Sequence, residues 1–194
     1  MKIKSNFFTV VLLFILFITH NKEVFILLFS ATIHELGHLI VARILNINLK
    51  ELKVGIFGAG LSCDTYSLSY KDEILLCLGG PFINLISASL CYAFLKNYFV
   101  IFPYIKTFVF SSLFLGLINL LPIKDFDGGR IFYALLAKKF SPKSSITIQK
   151  YISFAIVFIM WSFSLFLLIK YSFSLSLFIF SLSLFVKIFM AENF

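Results

Sequence analysis

Charged side chains are scarce in this chain of 194 residues: Asp, Glu, Lys and Arg together make up 13%. Soluble domains carry roughly 25%. With so few charges and 60% hydrophobic residues, the chain has too little polar surface to cover itself in water. That excludes a soluble globular domain and points to an integral membrane protein. The same shortage excludes intrinsic disorder. Cysteine is sparse as well. Cys63, Cys77 and Cys91 are widely spaced, odd in number and without a CxxC pair, which argues against a disulfide framework. Cys77 and Cys91 fall in an apolar run, where a thiol packs as a small hydrophobe. No internal repeat and no soluble domain are present.

What the chain does have is a net charge of +8. No basic stripe or RNA-binding motif accompanies it, so no nucleic acid is expected. The lysines lie mostly between apolar runs and report topology instead.

Six membrane spans are expected. The first runs from Phe7 to His20, short for a bilayer that needs about 20 residues. Lys2 and Lys4 precede it as they would a signal peptide, but no small-residue cleavage site follows and another apolar run begins at once. The second runs from Val24 to Ile44 and the third from Ile74 to Leu95. The fourth starts between Phe99 and Thr107 and ends near Leu121. The fifth covers Tyr151–Ile169 and the sixth Tyr171–Ile188. Ser172, Ser174 and Ser176 alternate with apolar residues like a strand, but the length of the run favours a helix. With the N-terminus in the cytoplasm, only Lys22, Lys96, Lys106 and Lys170 fall outside. The other 13 of the 17 basic residues fall inside. Both termini are therefore expected on the cytoplasmic side.

Two inside loops are long. Asn46–Glu73 contains Leu52 to Gly58, partly alternating and punctuated by glycine, which fits a short re-entrant or membrane-surface β segment. Arg130–Lys139 reads as a short basic amphipathic helix on an anionic leaflet, ended by Ser141-Pro142. The expected fold is thus an all-α integral membrane protein with that one β segment. It forms a single polytopic domain over residues 1–194. Residues 24–130 are its catalytic core, and 7–20, 151–169 and 171–188 are accessory spans.

The chemistry lies in His34-Glu35-Leu36-Gly37-His38, in the middle of the second span. His34 and His38 are one helical turn apart and project from one face, the spacing at which two imidazoles chelate one zinc ion. Glu35 is placed to act as general base on a water at that ion. HExxH strings also arise by chance in proteins without zinc. Here, however, an ionisable residue at the bilayer centre costs roughly 2.5–3.5 kcal/mol, and three in five need a partner. His20 has none at i±4 and reads as an interfacial histidine.

Catalytic zinc sites have three protein ligands and an open position. The segment from Asn119 to Arg130 offers the third. Pro122 and the paired glycines break the helix there, so a carboxylate can turn inward. Asp127 is the first candidate and Asp125 the second. The bland reading of this stretch is a loop with solvated aspartates.

HELGH in an early span and NLLPIKDFDGGR after a later one resemble the site-2 protease family of intramembrane zinc metalloproteases (M50 type). That family carries HExxH, then Asn-Leu-Leu-Pro-Ile-Pro-Pro-Leu-Asp-Gly-Gly or a close variant. The resemblance implies His34 and His38 as ligands, Glu35 as catalytic base and Asp127 as third ligand, with one zinc ion per chain. The family's Gly-Pro-x-x-Asn element is matched by Gly80-Pro81-Phe82-Ile83-Asn84. It implies that Asn84 helps place substrate, as does Asn119. Lys124, Asp125 and Phe126 depart from the pattern, where Pro, Pro and Leu are common. The likeness covers roughly Phe25 to Arg130.

Six spans without a PDZ insertion resemble the stage IV sporulation protein FB-like branch, whose members cleave a membrane-associated pro-sigma factor. Many of them carry a nucleotide-sensing CBS domain, for which these 194 residues have no stretch. The resemblance implies peptide-bond hydrolysis in or near a transmembrane segment of a membrane-associated protein substrate. It also implies a bacterial cytoplasmic membrane and an inhibitory or regulatory membrane protein as partner. Two other classes compete. A non-catalytic metal-binding scaffold would not need Glu35. A small transporter would show inverted repeats or paired broken helices, and only the break near Pro122 is evident. A strand-like Leu52–Phe57 is further expected to pair with an unwound substrate by strand addition.

Overall fold

The computed structural model describes residues 2–5, 22–47, 49–55, 58–63, 68–97, 103–171 and 175–190. The expected first span, Phe7–His20 with His20 itself, lies outside the described residues, as do Phe57, Ser172 and Ser174. In chain order the elements are β1 (Lys2–Ser5), α1 (Lys22–Ile44), β2 (Leu49–Gly55), β3 (Gly58–Cys63), α2 (Tyr70–Asn97), α3 (Pro103–Asn119), α4 (Asp127–Ala137), α5 (Pro142–Tyr171) and α6 (Leu175–Met190). They fall into two compact units, Met1–Leu120 and Leu121–Phe194.

The distribution of side chains is that of a membrane protein. Ser30, His34, His38, Asn84, Ser112, Gln149, Ser153, Ser164 and Ser181 are buried, while Phe29, Phe110, Phe163 and Ile169 are at least 60% exposed. Water would favour the opposite arrangement. Lipid accepts it, because apolar side chains lose nothing there and polar ones must find partners inside. Three described helices are long and apolar enough to cross a membrane: Lys22–Ile44, Tyr70–Ala93 and Pro142–Lys170. They coincide with the expected second, third and fifth spans. The expected fourth and sixth correspond to the shorter apolar helices Tyr104–Asn119 and Leu177–Val186.

In the first unit α1, α2 and α3 pack against one another. The α1–α2 crossing is made by glycines. A Cβ on Gly37 would strike the Gly79 carbonyl oxygen, and one on Gly79 would lie 2.7 Å from the Gly37 carbonyl oxygen. Small residues let helix backbones approach this closely. A buried hydroxyl pair, Ser30 and Ser112 at 2.7 Å, ties α1 to α3. Ser69 caps α2. It accepts from the Asp72 amide at 3.2 Å and donates to the Asp72 carboxylate at 2.7 Å. That cap explains why α2 begins at Tyr70, four residues before the expected span: the polar first turn is helical but not apolar.

The sheet of this unit has the order β1-β2-β3. β1 runs parallel to β2, with Lys2 opposite Glu51 and Ser5 opposite Val54. β2 runs antiparallel to β3, with Leu52 opposite Leu61 and Gly55 opposite Gly58. β2 is therefore the central strand, bonded on both sides. Over Leu52–Val54 both edges of β2 are already bonded, which corrects the expectation of strand addition to a substrate there; Ile56 and Phe57 lie outside the described residues.

In the second unit α4 and α6 both pack on α5. Ile123, Val157, Leu184 and Ile188 form its buried cluster, with Phe126, Met160 and Phe185 against it. The Trp161 ring lies 6.0 Å from that of Phe185 and 6.5 Å from that of Phe178, and a 2.8 Å bond joins Ser164 to Ser181. Ser141 ends one helix region and starts the next. Its hydroxyl accepts from the Ser144 amide at 3.2 Å, with Pro142 at the first helical position. As a result α5 begins nine residues before the expected fifth span.

Candidate metal centre

Helical spacing on α1 puts His34 and His38 side by side, with ring centroids 4.9 Å apart. Both are buried, and their Nε2 atoms lie 3.3 Å apart. Two contacts from α2 orient them. His38 Nδ1 is 2.8 Å from the Leu76 carbonyl oxygen. A carbonyl only accepts, so Nδ1 carries the proton and Nε2 keeps a lone pair. Such a backbone contact is the kind that fixes the tautomer of a metal-binding histidine. The Asn84 amide nitrogen lies 3.4 Å from His34 Nδ1. Asn84 is fully buried, and its Oδ1 has no partner among the described residues.

Gly80 completes the hollow. A Cβ at this position would collide with His38 Nε2 and lie 2.6 Å from His34 Nε2. The space beside both nitrogen tips exists because α2 presents a glycine there. Pro81 follows, buried within α2, and removes the amide proton that would otherwise bond the Cys77 carbonyl. On its other side, the Pro81 carbonyl oxygen lies 3.2 Å from where a Cβ of Gly116 on α3 would sit. Two imidazole Nε2 atoms side by side at the space that Gly80 leaves fit a zinc ion, for which imidazole nitrogen is a normal ligand.

The other site residues are placed as follows. Glu35 lies on α1 beside His34 and is half-buried. Asn119 ends α3, and its amide donates to the Leu115 carbonyl at 3.0 Å. In the second unit, Asp127 is the first residue of α4 and is half-buried, while Asp125 is exposed in the preceding turn. Contrary to the expectation from sequence, the paired glycines do not break the helix. Gly128 and Gly129 are buried inside α4, and the break spans residues 120–126. Gly129 is there for clearance, since a Cβ on it would strike the Ile123 carbonyl oxygen.

Sequence reasoning missed three partners of these residues. The Leu76 carbonyl is a backbone atom and leaves no sequence signal. Ser153 accepts from the Lys124 amide at 3.0 Å and donates to the Pro122 carbonyl at 3.1 Å. Gln149 donates to the Gly129 carbonyl at 2.7 Å. Gln149 and Ser153 are buried polar residues four apart, on one face of α5, and that spacing is the signal that could have found them.

Two apposed histidines one turn apart, with a glycine at their tips, on helices that expose apolar side chains and bury polar ones, define the class: a membrane protein with a candidate metal centre of the HExxH kind. The model of "Peptidase family M50" matches residues 22–101 and 97–163, and the chain belongs to that family, the site-2 protease family. It is 31% identical over 146 residues to the "Zinc metalloprotease MJ0392" of Methanocaldococcus jannaschii, covering 73% of this chain and 42% of that one. It is 29% identical over 122 residues to the "Stage IV sporulation protein FB" of Bacillus subtilis, covering 62% of this chain and 42% of that protein. The matches thus span less than half the length of either relative. A solved structure, the "Site-2 Protease from Methanocaldococcus jannaschii", superposes with a TM-score of 0.71 at 25% identity, covering 97% of this chain and 89% of that one.

Proposed function

We propose that this chain is a zinc-dependent endopeptidase that hydrolyses a peptide bond in or near a transmembrane segment of a membrane-associated protein. The observation that supports it best is the pair of His34 and His38 Nε2 atoms, 3.3 Å apart and facing the hollow that Gly80 leaves open. His34 and His38 hold the ion in this reading, with Asp127 as third ligand because it immediately precedes Gly128-Gly129. Its further support is family membership and the Asp-Gly-Gly that closes the motif after α3.

The chain's own groups divide the work. The Leu76 carbonyl accepts from His38 Nδ1, which fixes the ring's orientation and leaves Nε2 as its ligand atom. Asn84, buried beside His34, is a substrate-positioning amide. Asn119 is a second substrate-positioning amide. Glu35 takes a proton from the attacking water and passes it to the leaving amine nitrogen. Zinc, when bound, supplies a Lewis acid that polarises the scissile carbonyl and acidifies water towards a pKa of about 7. A helical substrate has its carbonyls already hydrogen-bonded, so it unwinds locally before attack, and helix-breaking residues near the bond favour cleavage.

Six spans, with both termini in the cytoplasm, complete the proposal. The lysine and arginine distribution supports that topology. The narrower form of the proposal names a membrane-associated pro-sigma factor as substrate and a membrane protein as its restraint. Its support is the likeness to the sporulation protein. Glu35→Gln tests the central reaction. Retained zinc with turnover reduced about 10²–10⁴-fold is expected. Parent-like turnover contradicts the role of Glu35.

A further inference from the structure

Asp127 is reached through a stretch with little regular structure of its own. Between the end of α3 and the start of α4, the backbone bonds itself through the Ile123 amide to the Leu121 carbonyl at 2.7 Å and the Phe126 amide to the Ile123 carbonyl at 2.9 Å. Phe126 caps α4 without any side-chain bond. Two side chains of α5 grip this stretch on either side of Asp127. Before it, the Ser153 hydroxyl joins the Pro122 carbonyl and the Lys124 amide in one bridge. After it, Gln149 donates to the Gly129 carbonyl. Both residues are buried, and being four apart they share one face of α5. Ile123, fully buried between these grips, anchors the turn in the core of the unit.

We infer that Ser153 and Gln149 are positioning residues for the metal centre: they fix the backbone that carries the Asp127 carboxylate, and so set how well it can serve as a ligand. The inference rests on the reading of Asp127 as the third ligand. Ser153 matters through its hydroxyl, which both donates and accepts. Gln149 matters through its amide donor. Supporting groups behind metal ligands change metal affinity by about 10–100-fold when removed, even though they never touch the ion. Simple packing of α4 on α5 would instead show as lost stability with unchanged affinity.

The test is zinc affinity of the full chain in detergent, by competition with a chromophoric chelator, alongside the thermal midpoint of the zinc-free protein. The variants are Ser153→Ala, Ser153→Thr, Gln149→Met and Asp127→Asn. The expected result is zinc affinity reduced about tenfold or more in Ser153→Ala and in Gln149→Met, parent affinity in Ser153→Thr, and the largest loss in Asp127→Asn. If Ser153→Ala does not fold, Gln149→Met decides the same question. Parent affinity in Ser153→Ala and Gln149→Met, with Asp127→Asn impaired, overturns the inference and leaves the ligand assignment standing. A Ser153→Thr variant as weak as Ser153→Ala also overturns it. Parent affinity in Asp127→Asn overturns the ligand assignment and the inference together.

Discussion

Gly80 of α2 faces His34 of α1 so closely that a Cβ on the glycine would lie 2.6 Å from the imidazole Nε2. The absent side chain is what leaves room for an ion at the histidine tips. Gly80→Ala should therefore push the histidine tips aside and lose bound zinc. Proteolysis should fall by at least about 10–100-fold, as it does when a metal site is disturbed. Metal analysis of the purified variant checks this. Parent-level zinc would show that the ion does not occupy the hollow beside Gly80.

The buried hydroxyl pair of Ser30 and Ser112 predicts a measurable coupling between α1 and α3. A double-mutant cycle with Ser30→Ala and Ser112→Ala should give about 0.6 kcal/mol, and no more than roughly 1.7 kcal/mol, the range for hydrogen bonds between membrane helices. Unfolding in mixed detergent micelles reports it. Strictly additive losses would mean that the two hydroxyls stabilise nothing jointly.

The topology predicts that reporter fusions after Asn97 and after Ser141 lie on opposite sides of the membrane, with Ser141 inside. The argument is the crowding of lysine and arginine on one side of the expected spans. Fusions reporting the same side contradict the six-span arrangement.

The parts of this account legible in the sequence are those carried by contiguous residues. His34 and His38 declare themselves because helical periodicity converts a spacing of four into a shared face. Long apolar runs declare α1, α2 and α5 because lipid imposes length. Helix ends were less legible. Ser69 and Ser141 add polar, capped turns that no hydropathy average registers. The role of Gly128-Gly129 was misjudged for a different reason. Glycine permits both a break and a close approach, and only the position of the Ile123 carbonyl distinguishes them. The four residues of β1 pair with β2 across some fifty positions of sequence, too far and too short for any local pattern. Leu76, Gln149 and Ser153 act on backbone atoms or from another helix, and pairings of that kind become visible only in three dimensions.

The central claim is that His34 and His38 form a zinc centre. It is tested most directly by counting zinc per chain in detergent-purified protein prepared without chelator, with His34→Ala beside it. The account predicts about one zinc per chain in the parent and none in the variant. No zinc in either, or equal zinc in both, would contradict it.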